Sequence, residues 1–211
     1  MQNYQKISFE LLTKYNISDN IINVKNKQHK EQENKTMKKN TIINLTKLKA
    51  TLKGNVMLER KDGYTYVADG HYILKVPNFY YDENIRPFTN YFFNGDESVR
   101  KYNALSEYTP SNSFKLDEYY FNNMPQDFDI AETTKFTCEL TSDIVCRIVK
   151  TKKDFVLLNE KYTFILNTTE TVYGGGKREY VLFSANKDND IALIVLPVNY
   201  VMNLKEYFTI E

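Results

Sequence analysis

The run Tyr64-Thr65-Tyr66-Val67-Ala68-Asp69-Gly70-His71-Tyr72-Ile73-Leu74-Lys75-Val76-Pro77 reads as two strands joined by a turn. Tyr64, Tyr66 and Ala68 alternate with Thr65 and Val67, the period of a pleated strand. Asp69-Gly70 is a two-residue hairpin signal, because Gly70 tolerates positive φ and Asp69 can bond its own backbone. His71–Val76 is the second strand, and Pro77, with no N–H to donate, ends it. Working outward, Val56–Arg60 is a further strand with a turn at Asp62-Gly63. Leu45–Lys53 is an amphipathic helix, since Leu45, Leu48 and Leu52 share one face. Asn44 or Thr46 can cap it, and Gly54 stands where a left-handed cap is expected. Thr41–Leu45 is a β-rich run before it. The order is strand, helix, strand, strand, strand.

A similar order is expected again between residues 135 and 200. Lys135–Leu140 reads as a strand. Thr141 or Ser142 would cap a helix over Asp143–Lys150, with Ile144, Val145, Ile148 and Val149 as its apolar stripe. Strands then follow at Phe155–Leu158, Lys161–Asn167 and Arg178–Ala185. Ile191–Pro197 is a near-continuous apolar run, as a strand in the middle of a sheet would be. Gly174–Gly176 and Asn186–Asn189 are turns, and Leu204–Ile210 is a short tail, helix or strand.

Composition narrows the class. The chain has 211 residues, 42% of them hydrophobic, and a net charge of +1, which excludes a uniformly basic DNA-coating protein. No run approaches the roughly 18 apolar residues of a membrane span, and Met1–Glu10 lacks a signal-peptide core, so a cytoplasmic protein with no membrane partner is expected. Cys138 and Cys146 form no Cys-x-x-Cys pair and read as reduced structural thiols. Abundant Lys, Asn, Ile and Tyr point to an AT-rich genome, such as that of a low-GC bacterium or its phage. Residues 1–36 are polar, with one short helical run at Ile7–Tyr15, and are expected to be a flexible extension; Met37 could be the initiator. Residues 37–211 are expected to be one α+β domain, divided into a first unit (37–77), an insertion (78–134) and a second unit (135–211). The first unit carries eight Lys/Arg against three acids, whereas 78–134 carries four basic residues against ten acids and 14 of the 30 aromatics. Asp96–Glu107 is a candidate helix within that stretch.

The block Ile42–Pro77 resembles part of a sliding clamp, the bacterial DNA polymerase III β subunit in particular. The resemblance rests on Val67-Ala68-Asp69-Gly70-His71-Tyr72-Ile73-Leu74, similar to the Ala-Thr-Asp-Gly-His-Arg-Leu segment of those clamps, with Tyr72 in place of the Arg. Ile191–Val198 is similar to the closing strand of a clamp, an apolar run into proline. Together the two patches cover about half of the chain. The resemblance implies an α+β, processivity (DNA clamp)-like fold: two strand-helix-strand-strand-strand units, mainly antiparallel sheets and an aromatic, acidic insertion. It also implies a non-enzymatic replication accessory, built as a ring of several copies with helices facing double-stranded DNA and tethering a polymerase or another replication protein. A ring of six domains needs six one-domain chains or three two-domain chains.

The basic residues expected to meet phosphate, without reading sequence, are Lys47, Lys49, Lys53, Arg147, Lys150, Lys152 and Lys153. The competing reading is that these are ordinary solvated helix faces. A second function is an interaction protein, for example a phage factor that inhibits a host protein through the 78–134 surface. Its candidate contacts are Tyr91, Phe92, Phe93, Tyr119, Tyr120 and Phe121, because aromatics are enriched at binding hot spots; the alternative is that most of them are core. No catalytic residue, metal site or cofactor is expected. Gly174-Gly175-Gly176-Lys177-Arg178 lacks the hydroxyl of a P-loop and precedes a strand. His71 beside Asp69 reads as a hairpin histidine, and Asp127, Asp129 and Glu132 as an acidic loop.

Overall fold

The computed structural model describes residues 42–112, 115–122, 128–152, 154–175, 180–186, 188 and 190–199. The expectations for residues 1–36, Met37, Lys153, Gly176-Lys177-Arg178 and Leu204–Ile210 lie outside them. Helix α1 (Leu45–Thr51) forms where the leucine spacing placed it. Asn44 caps it, its side chain accepting from the Lys47 N–H at 3.1 Å. Strands β1 (Val56–Lys61), β2 (Tyr64–Ala68) and β3 (Tyr72–Pro77) then run as an antiparallel meander. Asp62 and Gly63 both take positive φ, 51° and 85°, as a tight two-residue hairpin requires. The second turn is wider than Asp69-Gly70 alone. Ala68 pairs with Ile73, and the Asp69 carboxylate accepts from the N–H groups of His71 (2.8 Å) and Tyr72 (3.2 Å).

After Pro77 the chain turns helical: α2 (Asn78–Tyr80), a π-helical turn (Tyr81–Ile85) and α3 (Arg86–Thr89), ended by Asn90 at φ 55°. Strand β4 (Ser98–Lys101) pairs with β1, and β5 (Thr109–Pro110) pairs with β4. A second π-helical turn spans Asp117–Asn122. Next come β6 (Asp129–Ile130), β7 (Glu132–Thr141), β8 (Ile144–Lys150), β9 (Phe155–Asn159), α4 (Glu160–Thr163), β10 (Thr171–Gly174), β11 (Val181–Ser184) and β12 (Ala192–Val195).

Three expectations are corrected here. Residues 144–150 are strand, not helix: Ile144, Cys146 and Ile148 face one side and Val149 the other. The Asp96–Glu107 stretch is a strand followed by a loop, and Leu105, counted on the helix stripe, is 96% exposed. Lys161–Asn167 is not a strand but begins in α4, whose cap is the Asn159 side chain accepting from the Lys161 N–H at 3.2 Å. The supposed basic helix of the second unit therefore does not form over 143–150.

The strands make a nine-stranded antiparallel sheet, in order β5-β4-β1-β2-β3-β12-β11-β10-β6, and a three-stranded sheet, β7-β8-β9. The middle six strands read as two meanders meeting at β3 and β12, each preceded by a short helix, α1 or α4. All four β12 residues are buried, as expected for a central strand. Its register puts Leu193 opposite Leu74 and Ile194 opposite Ile73. On one face of the large sheet, Leu58, Val67, Leu74, Phe183 and Leu193 pack with Leu48 of α1, Tyr162 of α4, Tyr81, Ile85, and Val149 and Leu158 of the small sheet. On the other face, Tyr66, Ile73, Leu182 and Ile194 are covered by Leu116, Tyr120, Phe121 and Phe128.

Candidate nucleic-acid interface

Helices α1 and α4 lie on the same face of the large sheet, and the backbone ties them together. The Asn44 N–H donates to the Ile165 carbonyl and the Asn167 N–H to the Ile42 carbonyl, both at 2.8 Å. Tyr72 touches both helices: its hydroxyl shares a 2.7 Å hydrogen bond with Thr51 Oγ1, and its ring centroid lies 5.4 Å from that of Tyr162. With Leu48 buried against the sheet, its neighbours Lys47 and Lys49 are exposed on the two flanks of α1, and Lys53 is exposed just beyond its end. No Asp or Glu occurs between Ile42 and Leu58 to neutralise them. Lys49 Nζ lies 5.4 Å from the Phe88 ring centroid, which supports its stem while the charge stays in water.

Reading residues 161–167 as a strand hid one further cation of this face. Lys161 of α4 is exposed, with its Nζ 4.5 Å from the Tyr162 ring centroid. Beside it, exposed His71 stacks on Tyr162 with centroids 5.4 Å apart. Burial raises the nearby Asp69 carboxyl above its ordinary value, against the opposing pull of the His71 and Tyr72 N–H donors.

Arg147, Lys150 and Lys152, the other expected phosphate contacts among the described residues, are not brought to this helix. Arg147 points from β8 to Glu160 at the start of α4, donates to the Thr134 carbonyl at 3.3 Å, and lies 5.8 Å from the Phe164 centroid. That guanidinium joins the small sheet to α4. Lys150 is half-buried and lines a shallow groove with Asp129, Glu132, Thr151 and Lys152. Lys152 is exposed and pairs with Asp129 at 3.4 Å.

Of the six aromatics expected to meet a partner, the five whose side chains are described are spread over both sides of the large sheet. Tyr91 donates its hydroxyl to Glu97 at 3.0 Å and packs edge-on against Phe93, both against the helix-side core. Tyr120 and Phe121 cover the opposite sheet face, with Phe121 5.4 Å from Tyr66. Phe92 is 66% exposed, with the Arg86 guanidinium 4.6 Å from its ring centroid. The Tyr119 side chain lies outside the described residues.

Among the described residues, no three His, Cys, Asp or Glu side chains gather as metal ligands, and no helix is long and apolar enough to cross a membrane. No family model matches the chain, and no curated protein matches it. Among solved structures, it is similar to a DnaN sliding clamp (DNA polymerase III subunit beta) from Pseudomonas aeruginosa bound to griselimycin. That likeness has 14% identity and a TM-score of 0.34, covering 72% of this chain. The chain spans 59% of the length of that clamp.

Proposed function

We propose that this chain is a non-enzymatic, clamp-like DNA replication accessory that contacts duplex phosphate through α1. The observation that carries the reading is the group of exposed lysines on and just after α1: Lys47, Lys49 and Lys53, with no acid between Ile42 and Leu58, on the helix-bearing side of an antiparallel sheet. Such a surface binds duplex by charge without reading bases. The paired placement of β3 and β12 supports it, because the two segments that resemble a clamp in sequence, 67–74 and 191–198, meet there. Lys161 joins the proposed contact; Arg147 does not, since Glu160 already satisfies it. On this reading each chain supplies one ring domain, and a closed ring takes six copies. A polymerase or another replication protein is the proposed tethered partner.

The test is the salt dependence of binding to a duplex of arbitrary sequence. Each phosphate contact contributes a slope of roughly 0.9 in log K against log salt, so Lys47→Glu/Lys49→Glu/Lys53→Glu should flatten it by about 3. An unchanged slope and affinity would remove α1 from the interface. The second reading, capture of a host protein through 78–134, rests on fewer groups than the sequence suggested. Phe79, Phe92, Tyr102, Leu105 and Ile130 are the large apolar side chains of that stretch exposed among the described residues.

A further inference from the structure

The two cysteines, separated by a turn in sequence, face each other in space. Cys138 of β7 is the direct cross-strand partner of Cys146 of β8. Both are reduced and buried, 3% and 0% exposed, in a small apolar cluster with Ile148, Phe155 and Leu157. Residues directly opposite in an antiparallel pair have Cα atoms about 4.5–5.5 Å apart, inside the roughly 4.4–6.8 Å that a disulfide spans. We infer that Cys138 and Cys146 are a reversible dithiol–disulfide couple that staples the β7–β8 hairpin.

The chemistry distinguishes the two thiols. A hydrogen bond from Cys146 holds the Cys138 thiol below its ordinary pKa, while the same contact and burial push the Cys146 thiol up. Cys138 also sits on β7, the edge strand of the small sheet, whereas Cys146 is on the central strand. The reaction needs an oxidant, here a small-molecule disulfide such as oxidised glutathione. The Cys138 thiolate attacks one of its sulfurs, and one glutathione thiolate leaves with the proton Cys138 gave up. Cys146 then loses its proton and attacks the Cys138 sulfur of the mixed disulfide, expelling the second glutathione. Two electrons and two protons pass from the cysteines to the oxidant, which becomes two thiols. The staple ties β7 to the strand that carries Arg147, so it fixes the base on which α4 rests.

The experiment equilibrates the purified full chain in graded ratios of reduced to oxidised glutathione. It is then quenched in acid, unfolded, labelled with a maleimide and weighed intact. The expected result is two monomeric populations, with both cysteines labelled or neither, interconverting with the ratio. In Cys146→Ser, a glutathione adduct should accumulate on Cys138, and in Cys138→Ser the remaining thiol should react at least tenfold more slowly. Full labelling of both thiols at every ratio, a persistent glutathione adduct in the wild type, or a disulfide-linked dimer would overturn the couple. Equal rates in the two single variants would overturn the assignment of Cys138 as the attacking thiol.

Discussion

Glu59 shows how one side chain couples burial to stability. It is 4% exposed on β1, and its carboxylate accepts from the N–H groups of Leu116 and Asp117. Asp117 is itself buried and paired with Lys61 at 2.8 Å. Burial, with the Asp117 charge added, raises the Glu59 pKa to about 7, and the two N–H donors only partly oppose this. The folded chain therefore holds this proton more tightly than the unfolded chain, whose carboxyl titrates at about 4.5. The stabilisation is full below that value and is lost as pH rises through about 7. Glu59→Gln keeps an acceptor for both N–H groups and removes the titration. Denaturant melts from pH 5 to pH 8 should show the wild type weakening while the variant stays level, with the variant ahead by about 2 kcal/mol at the upper end. Parallel pH profiles would contradict this. Gly174 is a second single-residue constraint: a Cβ there would stand 2.9 Å from Thr151 Cγ2 and 3.3 Å from Ala131 Cβ. Gly174→Ala should cost about 1–3 kcal/mol by thermal or urea denaturation, through overpacking where β10 meets the small sheet.

Among the elements, α1 was legible and β8 was not, for the same physical reason. The α1 leucines lie on one face because the other is in water, so the helical period shows. Strand β8 is covered on both faces: Cys146 and Ile148 pack into one cluster and Val149 into another. Its apolar residues are therefore nearly continuous, and Ile144, Val145, Ile148 and Val149 fit a helix stripe by spacing. Their β-branching favours strand, and it was the better guide. α4 was missed because Tyr162, Phe164 and Ile165 look strand-like, whereas the Asn159 cap and the pairing of Asn167 with Ile42 are what set the turn. Lys161 was lost with it. Of the proposed contacts, the α1 lysines are exposed, as the leucine stripe read from the sequence leads one to expect. The pairing of Arg147 with Glu160 could not be read from the sequence, because the two lie on different elements. Arg147→Ala should destabilise the fold by about 2–4 kcal/mol, leaving Glu160 without its counter-ion, yet leave the salt slope of DNA binding unchanged. A lost slope in that variant would return Arg147 to the interface.

For the whole molecule, the central strand pair is what a single sequence could show best. β12 is buried on both faces and so reads as an unbroken apolar run, and β3 reads through its flanking Asp-Gly and Pro. What the pattern could not show was that β4, β5 and β6 from the aromatic stretch extend the same sheet, because their partners are distant and the strands are only two to four residues long. The aromatics of that stretch serve both sheet faces, which is why their clustering in sequence suggested a surface. The molecular claim is a chain that assembles into a ring and binds duplex by charge. Sedimentation velocity of the full chain, alone and with a fluorescent duplex at low and moderate salt, tests that claim most directly. The account predicts a hexamer that carries the duplex with it at low salt and releases it as salt rises; a monomer at every concentration, with the duplex sedimenting alone, would contradict it.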